Sequence, residues 1–167
     1  MTSYAKLMLV AMLVAFSPAL VQAKDTAPTG AAQADALVSP SVEVEAAFGT
    51  WLSTLSSGTP EAMTALYAED AILLATLDNT PLKTQETRKS YFTKLMSNKG
   101  LKATVGEKHM QLFGDTAIVS GTWSFSFEQG GKTAEIPARY NFVFHKPAQG
   151  GAWKVVNMHS SKLPNAN

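Results

Sequence analysis

Four polar residues near the end of the chain have the types and spacing to form a binding or catalytic site: Arg139, Asn141, Asn157 and His159. They lie in two apolar stretches, residues 138–146 and 153–160, which a Gly-rich turn separates. Because side chains of a β-strand alternate between faces, the first two residues share one face of a strand and the last two share one face of the next. The sequence therefore predicts that the four converge on one cavity of a sheet.

Arg139 is the sharpest binding candidate, and we expect its guanidinium on an interior strand face. There it must be paired, because an unpaired buried charge is costly. One interpretation is a bidentate clamp for a ligand carboxylate or similar anion. The other is an internal salt bridge with Glu69, Asp70 or an acid of the sheet.

His159 is the candidate catalytic residue. A neutral imidazole can act as a general base or donate a hydrogen bond to a ligand. It can equally be structural, bonded to backbone or to a hydroxyl such as that of Ser161. Glu69 and Asp70 are the acids expected to reach it, and a carboxylate beside His159 would favour proton-transfer chemistry.

The same two-residue alternation predicts which face of its strand each apolar residue occupies. In the first strand, Tyr140 and Phe142 are expected on the face opposite Arg139. In the second, Trp153 and Val155 are expected on the face of Asn157 and His159, with Met158 and Ser160 opposite. An aromatic stripe earlier in the chain, Trp123, Phe125 and Phe127, is typical of a core or of a sheet–sheet interface.

No cofactor and no metal ion are predicted. The sequence has three histidines and no cysteine, and the histidines lack the close spacing of transition-metal sites. A Gly-rich nucleotide-binding fingerprint, a serine elbow and a Cys–His nucleophile are also missing from the sequence.

Residues 1–23 are predicted to be a signal peptide. Lys6 supplies a positive charge, residues 7–16 are an apolar run, and Val21-Gln22-Ala23 presents small residues where a signal peptidase cleaves. The alternative is an uncleaved anchor, but the run is shorter than the roughly 20 residues that span a bilayer. We therefore expect cleavage after Ala23, a periplasmic or secreted protein, and no stable membrane insertion.

The mature chain is formally neutral. The sequence has 14 basic and 13 acidic residues, and Lys6 is the only charged residue before the cleavage site. Neutrality argues against nucleic acid as a partner, since that binding needs a basic surface. Residues 24–40 are small, Pro-containing and free of aromatics, which predicts a flexible linker. The remainder, residues 41–164, is long enough for one packed core.

The hydrophobic pattern predicts an α+β domain with the element order ααβαββββ. The first helix is expected from Ser41 to Gly58, a short second helix after Thr59-Pro60, and a third over residues 85–97 with Thr84 as its N-cap. A strand is predicted at residues 71–77. Four more form an antiparallel meander: 101–112, 116–127, 135–146 and 152–160.

Four segments, taken in order, resemble a known superfamily: L-Y-A-E-D-A-I-L-L-A-T-L (66–77), S-G-T-W-S-F (120–125), A-R-Y-N-F-V-F-H-K (138–146) and W-K-V-V-N-M-H-S-S-K-L-P (153–164). They are similar to the NTF2-like superfamily of cone-shaped α+β domains. The closer likeness is to the association-domain branch named after the calcium/calmodulin-dependent kinase II hub, and to its free-standing, SnoaL-like bacterial relatives.

The resemblance implies a curved sheet around a deep pocket and a homodimer or larger assembly formed through the sheet. Arg139 matches one arginine of the kinase-hub pocket, whereas a second matched arginine is replaced near Ser120. Tyr67, on the second helix, matches the region that closes the pocket mouth, although its ring can also be part of the core. The superfamily includes isomerases, dehydratases and polyketide cyclases, and the fold alone does not choose among them.

Two functional hypotheses follow. In the first, the chain is an exported, non-enzymatic domain that self-associates through its sheet and binds a small ligand, anionic or of mixed polarity, near Arg139, Asn141, Tyr67 and Asn157. In the second, it is a cofactor-free enzyme that transfers protons with His159 as the base. A third is an assembly module whose pocket has no function.

Overall fold

The computed structural model describes residues 38–164, so the predicted signal peptide, its cleavage site and most of the linker lie outside the described residues. Three helices and five strands follow the predicted order ααβαββββ, which confirms the α+β assignment. They are α1 (Pro40–Ser57), α2 (Pro60–Ala65), β1 (Tyr67–Leu74), α3 (Gln85–Met96), β2 (Lys102–Phe113), β3 (Thr116–Gln129), β4 (Lys132–His145) and β5 (Lys154–Lys162).

Helix α1 begins one residue before Ser41, the start expected from the sequence. Ser39 is the N-cap and Pro40 is the first helical residue, where its fixed φ and missing N–H fit a helix start. The helix ends at Gly58. Its buried face is formed by Val44, Phe48, Trp51 and Leu55, at the spacing of an amphipathic helix.

The five strands form one curved, mixed sheet with the order β1-β5-β4-β3-β2. Strands β2 to β5 are the predicted antiparallel meander, and β1 pairs in parallel with β5. That parallel pair brings the end of β1 and the turn after it beside the last strand. The sheet thus has a helix-covered inner face and an outer face that no described helix covers.

Aromatic rings fill the space between α1 and the inner face. Trp51 stacks on Trp123 with 5.4 Å between ring centroids, and Trp123 lies 4.6 Å from Tyr140. Phe142 meets Trp51 edge-on at 5.1 Å. The aromatic stripe of β3 is therefore core, and burial raises the pKa of the Tyr140 hydroxyl to about 12.

A β-bulge in β5 overturns part of the predicted alternation. Phe144 pairs with Val155, but the preceding residue of β4, Val143, pairs with Asn157, so Val156 is an extra residue in the ladder. The insertion reverses the parity of the strand at that point. Trp153 and Val155 are consequently buried with Met158 and Ser160, whereas Asn157 and His159 belong to the outer face. Placing Trp153 and Val155 on the face of His159 was wrong.

The pairing of β2 with β3 is also irregular, because its register shifts between Val105 and Lys108. This irregularity requires a glycine at position 121 of β3. The β2 backbone crosses so close to β3 that a Cβ added to Gly121 would clash with the carbonyl oxygen of Glu107. The hydroxyl of Tyr140 donates to that same carbonyl at 3.3 Å. A glycine in the middle of this strand therefore permits close backbone approach.

Arg88 is the one arginine buried in the described core, with 1% of its surface exposed. Its guanidinium donates to the backbone carbonyls of Ala68, Glu69 and Ala71, where the β1–β5 pairing is irregular, and lies 5.7 Å from the centre of the Tyr67 ring. Burial lowers the pKa of Arg88. This arginine, which the sequence analysis missed, supplies donors to strand backbone that the ladder leaves unpaired.

Candidate functional site

The outer face of the sheet presents two rows of side chains that run across all five strands. The register of the strand pairs places the first row in the order Ile72, Asn157, Val143, Ile118 and Gln111. The second row, in the same strand order, is Leu74, His159, Asn141, Ser120 and His109. We call these two rows the outer rows. They hold apolar, amide, hydroxyl and imidazole groups, and contain no lysine, aspartate or glutamate.

Arg139 lies on this outer face and is exposed, so the expectation of an interior guanidinium was wrong. The reason is the alternation itself: Tyr140 and Phe142 occupy the inner face, which leaves Arg139 outside. Its Nε donates to the Ser161 hydroxyl at 3.0 Å. Neither Glu69 nor Asp70, the predicted acidic partners, forms an ion pair with it among residues 38–164.

His159 lines a cleft of about 400 Å³ at the β1–β5 edge of the sheet, which we call the His159 cleft. One wall is the end of β5, from His159 to Lys162, and the other is the end of β1 with its turn, residues 74–80. Arg139 reaches the rim through Ser161, a lining residue. Asn141 and Asn157 flank His159 on the outer face but do not line the cleft.

The floor of the His159 cleft is held by hydroxyl hydrogen bonds. The Ser160 hydroxyl accepts from Trp123 Nε1 at 3.2 Å and from the Thr76 hydroxyl. In the turn, the Asp78 carboxylate accepts from the backbone N–H and hydroxyl of Thr80, and these bonds lower the pKa of Asp78. The cleft thus has a fixed polar floor and an ionised carboxylate already engaged in its own turn.

His159 has no carboxylate partner within the part of the chain that the structure describes. The two histidine–carboxylate pairs there are His109 with Glu107 and His145 with Asp115, each at 3.7 Å and exposed. A base for proton transfer is normally oriented by such a partner. Within residues 38–164, His159 therefore lacks the carboxylate that would orient it as a base.

Tyr67 is a core residue and lies at the start of β1, not on the second helix, which ends at Ala65. Its hydroxyl accepts from Trp51 Nε1 at 2.9 Å and contacts the Met158 sulfur at 3.1 Å. Burial raises the pKa of this hydroxyl well above its usual range. Of the two roles considered for Tyr67, the geometry corresponds to the buried ring.

The rest of the His159 cleft was not foreseen. Thr76, Ser160 and Lys162 carry no local signal of function, and the turn at residues 78–80 was interpreted only as a turn. They meet because β1 runs parallel to β5, a long-range pairing that no local pattern encodes. Over residues 38–164, no cluster of three or more acidic or histidine side chains could hold a metal ion, and no helix is long and apolar enough to cross a membrane.

Comparison with known proteins identifies relatives of this fold. Residues 41–164 match the family model of the calcium/calmodulin dependent protein kinase II association domain. A protein from Xanthomonas campestris assigned to that association domain has 31% sequence identity and a TM-score of 0.70, with 77% of this chain and 91% of that chain covered. The comparison with curated proteins finds no match.

More distant solved structures share the fold. The CaMKII hub of S. rosetta has 23% identity and a TM-score of 0.66, with 75% of this chain and 98% of that chain covered. An NTF2-like protein with a cystatin-like fold from Novosphingobium aromaticivorans has 18% identity and a TM-score of 0.62, with 74% and 82% covered. With the match over residues 41–164, these findings establish that the chain belongs to the calcium/calmodulin dependent protein kinase II association-domain family.

Proposed function

We propose that this protein is an exported assembly domain that self-associates through the outer rows of its sheet and holds a small ligand in the His159 cleft. The observation that carries the proposal is the composition of the outer rows. The described helices cover one face of the sheet, and the outer rows on the other face form a continuous surface without lysine or acids. Depletion of charge at the centre of a surface patch is the compositional signature of an interface.

The packing of the outer rows supports the same conclusion. Ile118, Val143 and Asn141 are half-buried by their strand neighbours alone, so a partner chain would remove the remainder of their surface at small entropic cost. Such a face can pack against the same face of a second copy about a two-fold axis, which is the commonest symmetry of homo-oligomers. Membership in a family named for association, with a hub among its structural relatives, agrees with self-association.

The His159 cleft supports the ligand-binding half of the proposal. Lys162 lines it and Arg139 reaches its rim, whereas its one acid, Asp78, is engaged by Thr80. The free hydrogen-bonding groups are therefore mainly cationic or neutral donors. A small ligand with a carboxylate or similar anionic group fits this chemistry.

The test of self-association is sedimentation velocity of the full chain and of Val143→Glu over a hundredfold range of protein concentration. The substitution places a charge at the centre of the outer rows, and burying it unpaired should raise the dissociation constant at least about a hundredfold. Thr93→Glu, on the exposed side of α3, is the matched control and should assemble like the wild type. A monomeric wild type, or a Val143→Glu variant that assembles unchanged, would refute the proposed interface.

The ligand is tested by native mass spectrometry of protein purified gently from its host. A co-purifying small molecule that is lost in Lys162→Ala, while the assembly stays unchanged, would support the His159 cleft as its site. Retention of the molecule in that variant would place it elsewhere. N-terminal sequencing of the same sample tests export, since the mature chain should begin at Lys24.

A further inference from the structure

A second pocket, of about 410 Å³, lies between the N-terminal half of α1, the start of β5 and the turn before β5. We call it the α1 pocket. Its lining is Val38, Val42, Glu43, Ala46, Ala47, Thr50, Trp51, Leu66, Phe144, Gly151, Ala152, Trp153 and Val155. It shares no lining residue with the His159 cleft. Its volume falls in the range of pockets that enclose small molecules, about 300 to 1,000 Å³.

The walls of the α1 pocket are apolar. Val42, Ala46 and Thr50 stand one above another on successive turns of α1, and the buried side chains of Phe144 and Val155 form the floor. Val42 keeps 57% of its surface exposed. An apolar ligand in this space would therefore remove from water side chains that the domain itself leaves uncovered.

Glu43 is the one charged group of the lining. Its Oε2 accepts from Lys146 Nζ at 2.6 Å and from Trp153 Nε1 at 2.8 Å. Its second oxygen, Oε1, has no hydrogen-bond partner in residues 38–164. The bonds from Lys146 and Trp153 also lower the pKa of Glu43, so the carboxylate is ionised at neutral pH. A fixed acceptor thus stands at the edge of an apolar space.

We propose that the α1 pocket binds an apolar small molecule that carries a single hydroxyl group at one end. The hydroxyl would donate to Glu43 Oε1 while the apolar body fills the space along α1. Lys146 neutralises the carboxylate, so a ligand cation gains little net electrostatic attraction there. A ligand anion is repelled by the unpaired oxygen of Glu43. A neutral donor satisfies that oxygen without adding charge. This site is separate from the proposed interface and from the His159 cleft.

The experiment is isothermal titration of the full chain with 4-hexylphenol and with its methyl ether, which has the same apolar body but no donor. The phenol should bind about tenfold more tightly, as expected for a hydrogen bond to a charged acceptor. Glu43→Gln should abolish that preference, because the glutamine oxygen can keep the bonds from Lys146 and Trp153 while its amide nitrogen cannot accept. Equal binding of the two probes by the wild type would overturn the assigned chemistry.

A pair of substitutions on α1 tests the location. Ala46→Phe fills the pocket and should remove binding of both probes, whereas Ser53→Phe, exposed on the same helix and outside the lining, should leave it unchanged. If Ala46→Phe does not give the wild-type circular dichroism spectrum, the smaller Ala46→Leu takes its place, with an expected loss of at least about fivefold. Unchanged binding in a folded Ala46 variant would overturn the proposal. So would a wild type that shows no saturable binding, or whose binding weakens as protein concentration rises because a second copy covers the pocket.

Discussion

The two faces of the sheet are made by the same strands and differ in what covers them. On the inner face, Tyr140 and Phe142 pack under α1 in a continuous stack of aromatic rings. On the outer face, the neighbouring residues Arg139, Asn141 and Val143 point away from every described helix. The inner face forms the core of the domain, whereas no described helix covers the outer face.

This difference indicates which regions of the domain have room to bind other molecules. The interior, where the resemblance implied a deep pocket, is occupied by aromatic rings, and Tyr67 is part of that packing. Open space lies outside this packing, and it includes the His159 cleft at the sheet edge and the α1 pocket beside the first helix. Substitutions on the two faces should therefore have very different effects on folding and on association.

The largest effect is expected from a pair of adjacent residues in β4. Phe142→Ala should lower the free energy of unfolding by about 3 to 5 kcal/mol because it opens a cavity among the rings. Asn141→Ala, one residue away on the outer face, should change it by less than about 0.5 kcal/mol. Urea unfolding in the Val143→Glu background measures both without a contribution from self-association. Similar losses for the two variants would contradict the assignment of the faces.

Arg88 tests whether the backbone of β1 depends on a buried guanidinium. Arg88→Met should lower the free energy of unfolding by about 3 kcal/mol, since the carbonyls of Ala68, Glu69 and Ala71 lose their donor. Lys89→Met, at the exposed neighbouring position, is the control and should cost less than about 1 kcal/mol. Urea denaturation of the two variants makes the comparison. A loss no larger for Arg88 than for Lys89 would show that water replaces the guanidinium.

Glu43 gives a pH-dependent effect at the margin of the inner face. Its folded-state pKa lies below the ordinary value of 4.5, because Lys146 and Trp153 hydrogen-bond its charged form. The stabilisation is therefore fully present above that value and is lost as the pH falls through the lower, folded-state pKa. Glu43→Gln should melt at a lower temperature than the wild type at pH 7, and the gap should close as the pH falls below 4.5 and through the folded-state pKa. A gap independent of pH would mean that the carboxylate charge contributes nothing.

The smallest effect is expected at Arg139. Its side chain is exposed and bonded to a neutral hydroxyl, so Arg139→Ala should change the free energy of unfolding by less than about 0.5 kcal/mol. The measurement is urea denaturation beside Ser161→Ala, which removes the same hydrogen bond from the other side. If Arg139→Ala alone lowers the free energy of unfolding by several kcal/mol, the guanidinium must be buried and paired, which would contradict its exposed position.

The local sequence was sufficient for the elements and for most of the alternation. Thr84 begins α3 as predicted, with its hydroxyl accepting from the backbone of Thr87, because a cap is decided by residues within one turn. The β4 parity also holds, because every residue of that strand pairs in unbroken register with β3. The hydrophobic pattern also predicted the order of all eight elements, which the structure confirms.

The tertiary structure decided what local patterns cannot contain. An extra residue at Val156 reversed the faces of Trp153 and Val155, since a bulge is set by the partner strand rather than by side-chain periodicity. The parallel pairing of β1 with β5 brought Thr76 to Ser160 and so made the His159 cleft. The sequence determined most of the alternation and where α2 and α3 begin. Packing between distant segments determined which face became core, because the aromatic rings of α1 pack against only one face of the sheet.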